Sequence, residues 1–164
     1  MLEWIAAFIV DSPLTMWIEA TYWIWPILEI THFFGLSLLL GGLIIIDLRL
    51  AGHFKALPLI ATHQLLPFVF IGFGLNLITG ILFFYGDPLR YAVNIGFQIK
   101  MALVFLAGLN ALLYYWKIHP VIHTWNSANA TPPIARFVAY ASLTIWSGVL
   151  VCGRLLPYVG DTYG

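Results

Sequence analysis

Four long apolar runs, separated by short polar or turn-forming stretches, set the pattern of this chain. They cover roughly residues 22–46, 59–84, 95–116 and 134–157. At a rise of ~1.5 Å per residue, each can cross a hydrocarbon core of ~30 Å with some tilt. The breaks contain Asp47 and Arg49, then Gly86-Asp87-Pro88, then Lys117 and Pro132-Pro133. The pattern predicts an all-α integral membrane protein: a four-transmembrane-helix bundle forming one membrane domain over residues 1–164. Pro67, inside the second run, predicts a kink.

The opening segment differs. Leu2 to Val10 is apolar but too short to span, and it lacks the basic stretch of a signal peptide. Ser12-Pro13 marks a helix start, with Pro at the first helical position. Residues 2–19 therefore read as an interfacial helix, bent near Asp11 to Pro13.

Composition strengthens the membrane reading. Of the 164 residues, 62% are hydrophobic and 9% charged, against about half and a quarter in soluble domains. The formal net charge is zero, with no basic tract to bind nucleic acid and no acidic run. Cys152 is the one cysteine, which excludes an internal disulfide framework. Arg49, Lys55, Lys117 and Arg136 flank the first and third connections, whereas Arg90 alone lies in the second. Basic loops stay cytoplasmic, so both termini are expected on the outer side.

Ionisable groups at membrane depth are costly and mark functional positions. They are Glu29 and His32 in the first span, His63 in the second, Lys100 in the third and Arg154 in the fourth. Glu29 and His32 share a face, which Trp25, Leu36 and Leu39 continue. Gly35, about one turn from His32, leaves room for a flat, bulky group. The helical rise puts His32 about 4 Å outside the midplane, Lys100 and Arg154 about 9–12 Å toward the same side, and His63 about 13 Å toward the cytoplasm.

A neutral imidazole near the midplane suits haem iron. Haem b on His32 with propionates directed outward would meet Lys100 and Arg154, which bind carboxylates well. Gly72, Gly74, Gly148 and Gly153 would let a porphyrin approach the backbone, and Trp146, on one face with Ser142, would line the interior. Met101 lies at a suitable depth for a sixth ligand but adjoins Lys100 in sequence. His63 lies about 17 Å away along the normal, too far for the same iron. Two other readings fit the same residues: a structural polar network in which His32 and Lys100 pair with Glu29, Asn76 or a carbonyl, and a cofactor-free transport or proton path.

A second histidine group, His53, His63, His119 and His123, gathers toward the cytoplasmic side. His119 and His123 are spaced for a shared metal on a helix, and with His63 they suggest copper, zinc or a second haem. Pro120 works against that helix. Asp47 and Arg49 read as a helix end at the interface, and Tyr114, Tyr115 and Trp116 as an aromatic belt.

The phrases Pro26-x-x-Glu29-x-x-His32, Asp47-Leu48-Arg49-Leu50-Ala51-Gly52, Thr79-Gly80, Phe97-x-x-Lys100, and Trp146-Ser147-Gly148 through Gly153-Arg154 resemble a family of small bacterial four-helix integral membrane proteins of unknown function. The resemblance covers roughly residues 22–158. It implies that His32, Lys100 and Arg154 belong to the family pattern. A looser likeness links the chain to b-type cytochromes and to the membrane protein of copper-resistance systems. Together these lead to the expectation of a b-type haem protein for electron transfer or small-ligand sensing. It would sit in the lipid bilayer as a homo-oligomer and serve a redox partner that the sequence leaves unnamed. Glu29 would tune His32 or accept a proton. The alternatives are a small-solute or proton transporter, a copper-handling protein, and an anchoring subunit.

Overall fold

The structure, a computed structural model, describes residues 2–120 and 131–159. Helices account for its regular elements, and no strand occurs among the described residues. The opening segment is two helices, α1 (Leu2–Ile9) and α2 (Pro13–Ala20). Ser12 separates them as a cap: its Oγ accepts from the Thr15 amide at 3.2 Å, while the Thr15 hydroxyl donates back to Ile9 O at 2.9 Å.

The first span is α3 (Ile24–Leu50), which runs one turn beyond the apolar run. The extra turn is held by a glycine C-cap. Gly52, at φ +95°, donates to Arg49 O and the His53 amide donates to Leu48 O. A side chain at that φ is strained, so the Gly52 position fixes where α3 ends.

The second span is split into α4 (Leu59–His63) and α5 (Leu66–Gly86). Pro67 has no amide hydrogen, and its ring would clash with the His63 carbonyl in a continuous helix. The chain therefore restarts, with Pro67 in the first turn of α5. A short α6 (Pro88–Val93) follows, capped by Asp87. The third span, α7 (Ile95–Lys117), begins at Asn94, whose Oδ1 accepts from the Phe97 amide at 3.1 Å. The fourth is α8 (Pro133–Leu155).

These make four helical segments long and apolar enough to cross a membrane. Phe33, Phe70, Phe105, Phe137 and many Ile and Leu side chains point outward, exposed. Water would penalise that surface and lipid does not, so the chain is a multi-pass, all-α membrane bundle.

Packing centres on α3, which lies against α5 on one side and α8 on the other, while α7 pairs with α8. The α3–α5 contact is antiparallel with a seven-residue step. Trp25, His32 and Leu39 of α3 meet Gly86, Thr79 and Gly72 of α5. At Gly72 the backbones nearly touch, since a Cβ there would stand 2.6 Å from Gly35 O and from Leu39 N. Small residues make such close crossings available where no hydrophobic effect drives helices together. The far end is closed by Leu50, Ala51, Ile118, Ala135, Val138 and Ala139, which join α3, α7 and α8. The near end is tied by Asn94, whose Nδ2 donates to Leu156 O at 3.1 Å and to Val159 O at 2.5 Å.

Candidate functional site

The α3–α5 register brings His32 against Thr79. Nδ1 of His32 lies 2.7 Å from the Thr79 hydroxyl oxygen. That hydroxyl donates its own proton to Leu75 O at 2.6 Å, one turn back along α5. Its oxygen is thus left to accept, and the imidazole N–H belongs on Nδ1. The lone pair of the neutral ring is then on Nε2, for which no hydrogen bond occurs among the described residues. Phe83 packs edge-on against the ring at 5.5 Å, which fixes its tilt. An imidazole whose one nitrogen is held by a protein acceptor and whose other nitrogen is free is arranged as a metal ligand or proton acceptor.

The other residues singled out in the sequence divide into those near this group and those apart from it. Lys100 on α7 is close enough for its charge to act on the His32 ring. Its ammonium lies against α8 at Gly153, where a Cβ would be 3.6 Å from Nζ, and among the described residues it makes no ion pair or hydrogen bond. Arg154 sits one residue further along α8, with its guanidinium 5.8 Å from the Tyr158 ring centre. Glu29 is exposed and accepts from the Trp25 indole at 3.2 Å, so it is bonded one turn away from His32 rather than to it. Met101 is 43% exposed on the outer side of α7. Trp146 packs edge-to-face on Phe73 at 6.3 Å, in the middle of the bundle.

The glycines expected to admit a porphyrin are mostly committed to helix contacts. Gly72 faces Gly35 and Leu39, Gly148 faces Leu103, and Gly153 faces Lys100, while Gly74 looks onto open space. Asn76, named as a partner for His32 or Lys100, donates to Gly72 O within α5. His32 thus keeps one ring nitrogen unengaged with Lys100 in electrostatic reach, while the recorded contact of Arg154 is with Tyr158. The cleft seen in the single chain, about 80 Å³ between α3 and α8, lies elsewhere and is smaller than a macrocycle. His32 Nε2 could ligate a metal, but neither these glycines nor that cleft encloses a macrocycle beside it.

The second histidine group is dispersed among tyrosines. His63 Nδ1 bonds Leu59 O at 2.7 Å and its Nε2 bonds the Tyr114 hydroxyl. His53 Nε2 meets the Tyr140 hydroxyl at 2.9 Å. His119 stacks on Tyr115 at 5.4 Å. Among the described residues no three His, Cys, Asp or Glu side chains converge as a metal group. His123 lies outside the described residues.

Three residues were not legible in these roles. Thr79 had appeared only within a motif phrase, because its role depends on the inter-helix register. Asp47 and Arg49, expected at an interface, are buried at 5% and 6% exposure, with Arg49 Nε donating to Leu57 O at 2.5 Å. Ser142 of α8 sits beside the Asp47 carboxyl. Compared with protein-family models, with curated proteins and with solved structures, the chain matches none.

Proposed function

We propose that this chain is a membrane-embedded b-type haem protein that serves electron transfer or the sensing of a small ligand. The observation that carries the reading is the His32–Thr79 pair, which leaves Nε2 of a neutral imidazole unengaged at membrane depth. Lys100 supports it as a cation without an anion near that ring, the complement that a propionate supplies. Arg154, beside Gly153 on α8 and over the Tyr158 ring, would be the second cation for a propionate.

In this reading His32 holds the iron, Thr79 holds the tautomer of His32, and Lys100 and Arg154 hold carboxylates. The iron would supply one-electron chemistry or an open coordination position. Met101, 43% exposed, is poorly placed to be a second ligand, which would have to come from another copy if one is used. A second copy would also wall the porphyrin, which makes a homo-oligomer part of the proposal. The family resemblance suggests a bacterial inner membrane, and Arg49, Lys55, Lys117 and Arg136 favour a cytoplasmic Gly52 end with both termini periplasmic.

The test is an absorption spectrum of protein purified in mild detergent from cells supplied with haem precursor, before and after dithionite. A Soret band that sharpens into reduced α and β bands supports the reading. A colourless protein would favour a cofactor-free solute or proton path instead.

A further inference from the structure

Asp47 stands in the last turns of α3, 5% exposed. Its Oδ2 is the one buried side-chain oxygen or nitrogen among the described residues that lacks a hydrogen-bond partner. Buried polar atoms are nearly always satisfied, so an orphaned carboxylate oxygen calls for a specific occupant.

The groups that face it do not supply one. From α8, the Ser142 hydroxyl is a hydrogen-bond partner of the carboxyl but leaves Oδ2 without one. From α7, Tyr114 is near enough for the Asp47 charge to act on its phenol. In neutral His63 the Nδ1–H is directed at Leu59 O, so the Tyr114 hydroxyl donates to His63 Nε2 and its proton is committed there. On α3 itself, Arg49 directs its Nε to Leu57 O. From α5, Val69 and Phe73 present only apolar surface to this part of the bundle. No ion pair to Asp47 occurs among the described residues.

Asp47 also lines a cleft of about 80 Å³ between α3 and α8, whose other walls include Leu40, Leu43, Leu143, Trp146 and Leu150. That volume and lining suit neither a hydrated metal ion nor a large polar solute. An ionised carboxylate without a cation is costly in such surroundings, whereas the protonated acid is not. The geometry points to Asp47 as a buried proton-binding site, with the α3–α8 cleft as an opening through which an apolar molecule reaches it. A proton from water at the exposed segment that follows α3 adds to Oδ2 as an O–H bond and returns to water on release, with no change of redox state. The site is independent of haem at His32.

Dicyclohexylcarbodiimide tests it in the full-length protein in liposomes. A protonated carboxyl in apolar surroundings adds across the carbodiimide and rearranges to a stable N-acylurea, which mass spectrometry locates. The expected adduct is on Asp47, with a yield that falls as pH rises. Infrared spectroscopy of the same sample should show a protonated-carboxyl C=O band that moves on deuteration. The band should be lost in Asp47→Asn, and kept but shifted in Asp47→Glu, which retains an acid on the same turn. An unmodified Asp47 overturns the access path. Absence of a protonated-carboxyl band, or an adduct yield indifferent to pH, overturns the proton site. These readouts need no haem, so they stand or fall apart from the His32 proposal.

Discussion

Thr79 accepts the Nδ1 proton of His32 at 2.7 Å while giving its own proton to Leu75 O at 2.6 Å. The relay runs from one span into the backbone of another, and it sets which nitrogen of the ring is available. Replacing Thr79 by Val keeps the shape and removes the acceptor. Haem affinity should fall by roughly 10–100-fold, the usual cost of losing an outer partner of a ligating histidine. Thr79→Ser should restore most of it. Haem titration of the purified apoprotein measures both, and equal affinities for the wild type and Thr79→Val would show that the hydroxyl plays no part.

The α3–α5 crossing depends on Gly72. A Cβ there would stand 2.6 Å from two backbone atoms of α3, which cannot move without separating the helices. Gly72→Ala should therefore destabilise the bundle by about 1–3 kcal/mol, as overpacking does. Gly74→Ala, where a Cβ meets nothing within 4 Å, should cost little. Unfolding in detergent mixtures distinguishes them, and similar losses for the two variants would refute the close crossing.

Asn94 does three things at once: it caps α7 and holds the carbonyls of Leu156 and Val159. It is 5% exposed. Asn94→Ala removes the cap and leaves those acceptors unsatisfied, at about 1–3 kcal/mol for the buried groups. Faster proteolysis of the residues that follow α8 is the expected sign. A cleavage rate equal to that of the wild type would mean that α8 is anchored by other contacts.

Lys100 and Arg154 carry a different expectation from His32. Lys100→Met and Arg154→Met keep much of each side chain's bulk and remove its charge. Both should weaken haem retention during dilution while leaving the positions of the reduced bands nearly unchanged. A shifted spectrum with undiminished retention would place these cations at the iron rather than at the propionates.

The spans were legible because continuous apolar runs of this length have few other uses. Their detail depended on how much local chemistry was written into the chain. Gly52 ends α3, and Pro67 splits the second span, both through backbone constraints visible in sequence. The seven-residue recurrence of Trp25, His32 and Leu39 was present too, but which α5 residues it would meet was not. That is why His32 stood out and Thr79 did not. Asp47 was read as part of a helix end, and it does stand in the last turn of α3, but its burial was not legible, since a charge at the end of an apolar run normally reaches solvent. Here Ala135, Ala139 and Ser142 give α8 a small-residue face that packs over the end of α3 and covers the carboxyl. Lys100 and Arg154 were read from the chain as neighbours in depth, and Lys100 does act on His32. Glu29 was grouped with His32 by spacing alone, and its bond to Trp25 shows that a shared face is not a shared contact.

The most direct measurement is the dithionite-reduced minus oxidised spectrum of wild-type protein and of His32→Ala, prepared in parallel and normalised to protein. The account predicts a haem signal in the wild type that is largely lost in the variant, with Thr79→Val in between. Full haem retention in folded His32→Ala would contradict the ligand assignment, and a wild type without any Soret band would contradict the haem reading itself.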